Sequence, residues 1–148
     1  MMRILSVLFA ATLAVPAFAD GHTGPGDPEA GEKQFGKCKT CHAIVSDSGE
    51  EIQKGGKVGP NLYGIIGQQA GSVEGFKYGD SLVEVGEGGL VWDATSLAEY
   101  IKDPRDFLRT TLDDKKARSK MAFKLKKGGE DIAAYLASVA PAPEAATN

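Results

Sequence analysis

The sequence predicts an all-α domain of short helices joined by long loops. Apolar residues recur at helical spacing in short stretches, most clearly Ile132, Tyr135, Leu136 and Val139 at i, i+3, i+4 and i+7. No stretch alternates for long enough to make a strand, and the best of them, Val83-Glu84-Val85, is too short. Between Val45 and Gly89 the chain carries most of its 19 glycines and reads as loop.

Residues 1–19, MMRILSVLFAATLAVPAFA, have the form of an export signal. Arg3 supplies the positive start, Ile4 to Val15 the apolar run, and Ala17-Phe18-Ala19 the small-x-small site that a signal peptidase accepts. A retained membrane anchor is the alternative. The apolar run is about twelve residues, against the roughly twenty needed to cross a hydrocarbon core. Cleavage after Ala19 leaves a soluble, exported mature chain, and a signal this short points to a bacterial periplasm. Residues 20–27 form a polar leader rich in Gly and Pro, expected to be mobile. Residues 28–140 make up the domain, and 141–148, PAPEAATN, are expected to be a disordered tail.

Within the domain a first helix is expected over 28–37, capped by Asp27 with Pro28 at its first position. Asp93 or Ser96 can cap a second through Leu97, Tyr100 and Ile101, and Ser96-x-x-Glu99 fits a capping box. Asp103-Pro104 restarts a helix carrying Phe107 and Leu108. The last helix runs from about Gly129 to Val139, and Pro141 stops it.

Composition narrows the function. A chain of 148 residues suits one domain, and 42% hydrophobic with 25% charged residues is neither disordered nor fibrous. Lys plus Arg number 17 against 20 Asp plus Glu, which argues against nucleic-acid binding. Two Cys exclude a multi-disulfide framework, and two His leave no room for a His-only metal site. Short helices and glycine-rich loops make a poor core by themselves. Such a chain needs a large apolar body to pack around, and a bound cofactor would supply it.

Cys38-Lys39-Thr40-Cys41-His42 is the strong motif. It is the Cys-x-x-Cys-His pattern of covalent haem attachment. Two thiols on one helical turn can reach two vinyl groups of one porphyrin, and the next residue places an imidazole at the iron. Three other chemistries compete with haem for this motif. A thioredoxin-like pair lacks the preceding strand and βαβ surround. A zinc site would need Cys38, Cys41, His42 and the leader's His22. A structural disulfide would close a small, strained loop. Haem explains the export signal and the pentapeptide together.

Met121 is the candidate sixth ligand, because Met1 and Met2 leave with the signal. A lone Met is commonly core filler. This one lies in Lys-Ala-Arg-Ser-Lys-Met-Ala-Phe-Lys, a basic stretch without an apolar stripe. An open iron, or ligation by the adjacent Lys120, is the competing arrangement. A His/Met pair closes both axial positions and raises the reduction potential. That favours outer-sphere electron transfer over oxygen chemistry.

From these motifs the chain resembles the class I cytochromes c, and most nearly the bacterial cytochrome c2 and Paracoccus-type cytochrome c-550 group, over about residues 28–139. The resemblance implies a cytochrome c fold wrapped around one covalent haem c. Gly31 and Phe35 resemble the first-helix residues that pack on the last helix at Tyr135 and Leu136. Val58-Gly59-Pro60-Asn61-Leu62 resembles the segment whose proline carbonyl, here that of Pro60, holds the proximal imidazole. Gly75-Phe76-Lys77-Tyr78 resembles the loop whose tyrosine, here Tyr78, bonds a haem propionate. Trp92 is similar to the propionate-binding indole, and Tyr100 to the hydroxyl near the Met sulfur. Ser119-Lys120-Met121-Ala122-Phe123 resembles the ligand loop. Core packing is the ordinary role of such aromatics, but Trp92 and Tyr100, eight residues apart across a helix start, keep the family's spacing and so favour the cofactor role, while Tyr78 alone favours neither. Gln68 stands where the family often has an Arg that meets a propionate. The longer stretch from Tyr100 to Met121 favours the larger bacterial subgroup.

Charge is uneven along the chain. Residues 100–127 hold ten Lys and Arg against four Asp, while residues 74–99 hold six acids against Lys77. Solvated faces are the ordinary meaning of such runs. Here the basic run brackets Met121, so the resemblance implies a basic haem-edge face that includes Lys37, Lys57, Arg105, Lys120, Lys126 and Lys127. Such a face would steer acidic partners. The implied function is a monomeric periplasmic one-electron carrier, not an enzyme. It would run between the quinol-oxidising bc complex and a terminal oxidase, a photosynthetic reaction centre or a periplasmic reductase. The competing classes are a haem enzyme or gas binder with an open iron, and a haem-free thiol or zinc protein.

Overall fold

A computed structural model describes residues 25–140. The expected signal, most of the leader and the expected tail lie outside the described residues. Five α-helices follow one another: α1 (Pro28–Gln34), α2 (Asp80–Glu87), α3 (Ala94–Lys102), α4 (Pro104–Thr111) and α5 (Gly129–Ser138). A 3₁₀ turn, Phe35–Lys37, completes the stretch expected as one first helix.

Local chemistry sets the helix starts. Asp27 caps α1, accepting from the Glu29 and Ala30 amides, with Pro28 in the first turn. Asp103 caps α4 through the Asp106 amide. The box at α3 differs from the one expected. Asp93 is the cap and accepts from the Ser96 amide at 2.7 Å, while the Ser96 hydroxyl accepts from the Asp93 amide at 3.0 Å. Ser96 therefore closes the box from inside the helix, and the reciprocal partner is Asp93 rather than Glu99.

Two expectations for the middle of the chain are corrected. A small antiparallel pair forms, β1 (Ile44–Val45) with β2 (Glu51–Gln53), in register Ile44 to Gln53 and Val45 to Glu51 around a bulge. A strand of two residues has too little length for alternation to show. Val83-Glu84-Val85 lies in α2, not in loop. Its inward face, the half-buried Leu82 with the buried Val85 and Gly86, keeps helical spacing, but β-branched valines and a glycine weaken the local signal. Gly86 is needed because a Cβ there would fall on the Ala70 carbonyl.

The framework is the crossing of α1 and α5, with α3 on α5 and α4 on α3. Gly31 lets the first pair approach, since a Cβ would collide with the Asp131 carbonyl and the Tyr135 Cβ. Phe35 is fully buried, with its ring 5.7 Å from that of Tyr135. Such a pair contributes about 0.5–1.5 kcal/mol beyond burial. The Asp131 carboxylate accepts from the Asp27 amide and the Gln34 side chain, tying the start of the domain to its last helix. The Gln53 amide donates to the Tyr135 hydroxyl at 2.8 Å and fastens the strand pair to α5.

Candidate functional site

Phe35 is also the anchor of the cysteine turn. The Cys38 and Lys39 amides both donate to its carbonyl, and the Cys41 and His42 amides to that of Cys38. This winds residues 38–42 into a helical turn that aims Cys38, Cys41 and His42 into one cavity. The segment that follows β2 is stitched against the turn. Gly59 N–H donates to the Cys41 carbonyl at 2.7 Å and Leu62 N–H to that of Ala43 at 3.1 Å. The Asn61 side chain bonds both backbone groups of Val45. Pro60 is thereby fixed beside the imidazole, and His42 Nδ1–H donates to its carbonyl at 2.9 Å. Gly59 lies so close that a Cβ would fall on the His42 ring.

The cavity holds about 800 Å³, at the upper end of cofactor-sized pockets. Cys38, Cys41, His42, Pro60, Tyr78, Trp92, Tyr100 and Met121 all line it. Apolar side chains for which the sequence suggests no part in a site complete the wall, among them Leu62, Leu82, Leu97 and Ile132. They come from segments far apart in the chain, and no local pattern distinguishes them from ordinary core. Trp92 and Tyr100 pack at 5.2 Å and both touch Phe107, at 6.0 and 5.7 Å. Gln68 does not line this cavity. It is exposed and faces a smaller groove with Asp47 and Tyr63.

Burial sets the ionisation of these groups. It holds His42 below the usual histidine range, with the Pro60 bond opposing, so the imidazole is neutral and Nε2 can coordinate a metal. Burial pushes the Cys38 thiol up to about 11, against a smaller opposing effect of Lys37. A redox-active cysteine of the thioredoxin kind has the reverse, a depressed value. Burial also raises the Tyr100 phenol, partly offset by its hydrogen bond with Ser119 at 3.3 Å. Tyr78 is raised by burial as well.

An apolar cavity bounded by two thiols on one turn, a neutral oriented imidazole and one thioether fits a covalently held haem. The donor set does not fit a zinc site. Among the described residues no group of three or more His, Cys, Asp or Glu could hold a metal ion, and His22 lies outside them.

The cavity mouth is basic. Lys37, Lys77, Arg118 and Lys120 line it, and Val58 and Phe123 expose apolar surface beside them. Lys57, Arg105, Lys126 and Lys127 are exposed but do not line the cavity. Among the described residues one ion pair forms, Lys124 with Asp103. No helix among them is long and apolar enough to cross a membrane.

No protein-family model matches the chain. Curated proteins do. The chain is similar to cytochrome c-551 of Roseobacter denitrificans, 64% identical over 140 residues that cover 94% of this chain and 96% of that protein. It is similar to cytochrome c2 of Rhodobacter capsulatus, 57% identical over 88% of this chain and 90% of that protein. It is also similar to cytochrome c-550 of Paracoccus denitrificans, 47% identical over 95% and 89%. The solved structure of Rhodobacter capsulatus cytochrome c2 superposes with a TM-score of 0.76 at 59% identity, covering 77% of this chain and 98% of that one. The chain thus belongs to the bacterial cytochrome c2 and c-550 group of class I cytochromes c, electron carriers that hold one covalent haem c and are not enzymes.

Proposed function

We propose that this protein is a periplasmic shuttle that carries single electrons between membrane redox complexes, using a haem ligated by His42 and Met121. When bound, the haem supplies one-electron Fe(II)/Fe(III) chemistry. Cys38 and Cys41 hold it by thioether bonds. His42 offers Nε2 to the iron while Pro60 keeps the proton on Nδ1. Met121, which lines the same cavity, would hold the iron through its thioether, and a site filled in this way would keep small ligands out. Tyr78 and Trp92 bind the propionate end. Tyr100 sits beside the Met121 loop through Ser119. The apolar wall excludes water, so little solvent reorganises when the charge changes. Gln68, exposed and turned to another groove, leaves the propionates to these other groups.

One observation carries this reading: all eight candidate residues, drawn from segments up to 83 positions apart, line one cavity of cofactor size. The basic mouth, with Lys37 and Lys120 lining it and Lys57, Arg105, Lys126 and Lys127 exposed, suits transient docking to acidic patches on a bc complex and on an oxidase, reaction centre or periplasmic reductase. Visible spectra of the protein, oxidised, reduced and reduced under carbon monoxide, test the ligand set. Sharp reduced bands, a weak far-red sulfur-to-iron band when oxidised and no response to carbon monoxide are expected. A strong carbon monoxide shift would mean an open iron, and a gas-binding or catalytic role would replace the carrier.

A further inference from the structure

The loop that carries Met121 is weakly held by its own backbone. Among the described residues, no backbone–backbone hydrogen bond has a donor or an acceptor within residues 118–124. None of these seven residues is buried. The flanks are firm by contrast. Ala117 is buried and its carbonyl accepts from Arg109 Nε at 3.3 Å. Leu125 is buried and its amide donates to the Ile101 carbonyl at 2.9 Å. Ordering a backbone costs about 1–2 kcal/mol per residue, so a stretch without ladder bonds or buried anchors depends on side-chain contacts for its position.

Five such contacts exist. Within the loop's own neighbourhood, Ser119 Oγ accepts from the Met121 amide at 3.1 Å and meets the Tyr100 hydroxyl. Lys124 pairs with Asp103 beyond Met121. The other two reach the 77–82 segment. Lys120 Nζ donates to the Lys77 carbonyl at 2.9 Å, its stem lying along Gly79. Arg118 N–H donates to Ser81 Oγ at 3.1 Å, across 37 positions of sequence. The lysine bond is made by a long, exposed, charged side chain that solvent and salt compete for. Ser81 differs: its short side chain is held in the first turn of α2, and its partner is a main-chain amide, so neither end is free to wander.

We propose that Ser81 is a positioning residue for Met121: by accepting from the Arg118 amide it latches the ligand loop to α2 and keeps the thioether seated. The proposal rests on the reading of Met121 as an iron ligand. Removing one neutral hydrogen bond of this kind costs about 1 kcal/mol net, roughly a fivefold change in a local opening equilibrium.

The test uses the holoprotein, wild type beside Ser81→Ala and Ser81→Thr. Three readouts are taken: amide hydrogen exchange at Arg118 and along α5, the rate at which exogenous imidazole displaces the sixth ligand of the oxidised protein, and the far-red sulfur-to-iron band. In Ser81→Ala, Arg118 exchange and imidazole entry are expected to speed up roughly fivefold, with α5 exchange unchanged and the band still present. Ser81→Thr, which keeps the hydroxyl, should restore both. Unchanged imidazole entry in Ser81→Ala overturns the proposal. So does an equal acceleration throughout α5, which would mark general destabilisation in place of a local latch. A wild-type protein without the sulfur-to-iron band would instead defeat the ligand reading, and the proposal with it, a result visible before any variant is compared.

Discussion

His42 and Pro60, 18 positions apart, are joined by a hydrogen bond of 2.9 Å from the imidazole Nδ1–H to the proline carbonyl. The bond exists because Gly59 has no side chain. Its missing Cβ is the space that the His42 ring occupies. Gly59→Ala should therefore push the ring off its axis or displace the 58–62 segment. Overpacking of this sort costs about 1–3 kcal/mol. The expected outcome is a lower yield of holoprotein and a lower denaturation midpoint, read by haem absorbance and urea titration. A variant with wild-type yield and midpoint would show that the loop yields at no cost.

Met121→Ala should open the second axial position. The reduced protein should then bind carbon monoxide at neutral pH, and its midpoint potential should fall by a sizeable share of the roughly 0.8 V that axial ligands span. Spectra under carbon monoxide and a redox titration check both. An unchanged potential would assign the ligand elsewhere, with Lys120 the first candidate.

Neutralising Lys120 and Lys126 together, each to Gln, should slow electron transfer with an acidic-faced partner several-fold at low salt. The difference should vanish near 1 M salt, where the screening length is about 3 Å. Stopped-flow rates across ionic strength decide it, and equal rates with equal salt slopes would remove this face from the docking surface.

Gly31 in the α1–α5 crossing and Gly36 in the 3₁₀ turn that follows α1 form a matched pair. Gly31→Ala should destabilise by about 1–3 kcal/mol, because the added methyl meets the Asp131 carbonyl and Tyr135. Gly36→Ala, where nothing lies within 4 Å, should be tolerated. Urea denaturation of the two variants side by side is the measurement.

Asp93 makes the start of α3 sensitive to acid. The Ser96 amide, and then the Ser96 hydroxyl, hold its carboxyl below the usual carboxylate value of 3.8. The folded value is depressed, so the contribution is complete above the unfolded value and is lost as pH falls through the folded one. Asp93→Ala should cost about 1 kcal/mol at neutral pH. Asp93→Asn keeps the cap acceptor and should flatten the fall in stability below pH 3.8. Thermal melts from pH 6 downward (a range set to bracket that value) test the difference.

Much of the site was legible because its chemistry is written in adjacent residues. Cys38, Cys41 and His42 form one pentapeptide, and Met121 stands out by arithmetic. The starts of α1 and α4 were legible for the same reason, since a cap and a proline act within one turn. Legibility failed where an element owes its existence to distant partners. In α2, valines and Gly86 argue locally against a helix, and it forms because Leu82 and Val85 pack inward and Gly86 meets Ala70. The pair β1 and β2 is too short to pattern. Gln68 stands in the chain where the family often has an Arg, yet it is exposed and lines a smaller groove, a placement that depends on tertiary packing.

The haem-attachment motif, the candidate ligand pair, the family and the all-α class can all be read from the order of residues, because covalent motifs, caps and helical periodicity are local properties. The folded chain was needed to see that Gly59 makes room for the His42 ring, that Asp93 rather than Glu99 completes the box at α3, and that Ser81 reaches the Arg118 amide. Each of those depends on where two backbones come to lie, and that position is set by the summed packing of the whole core, which no single stretch of residues encodes.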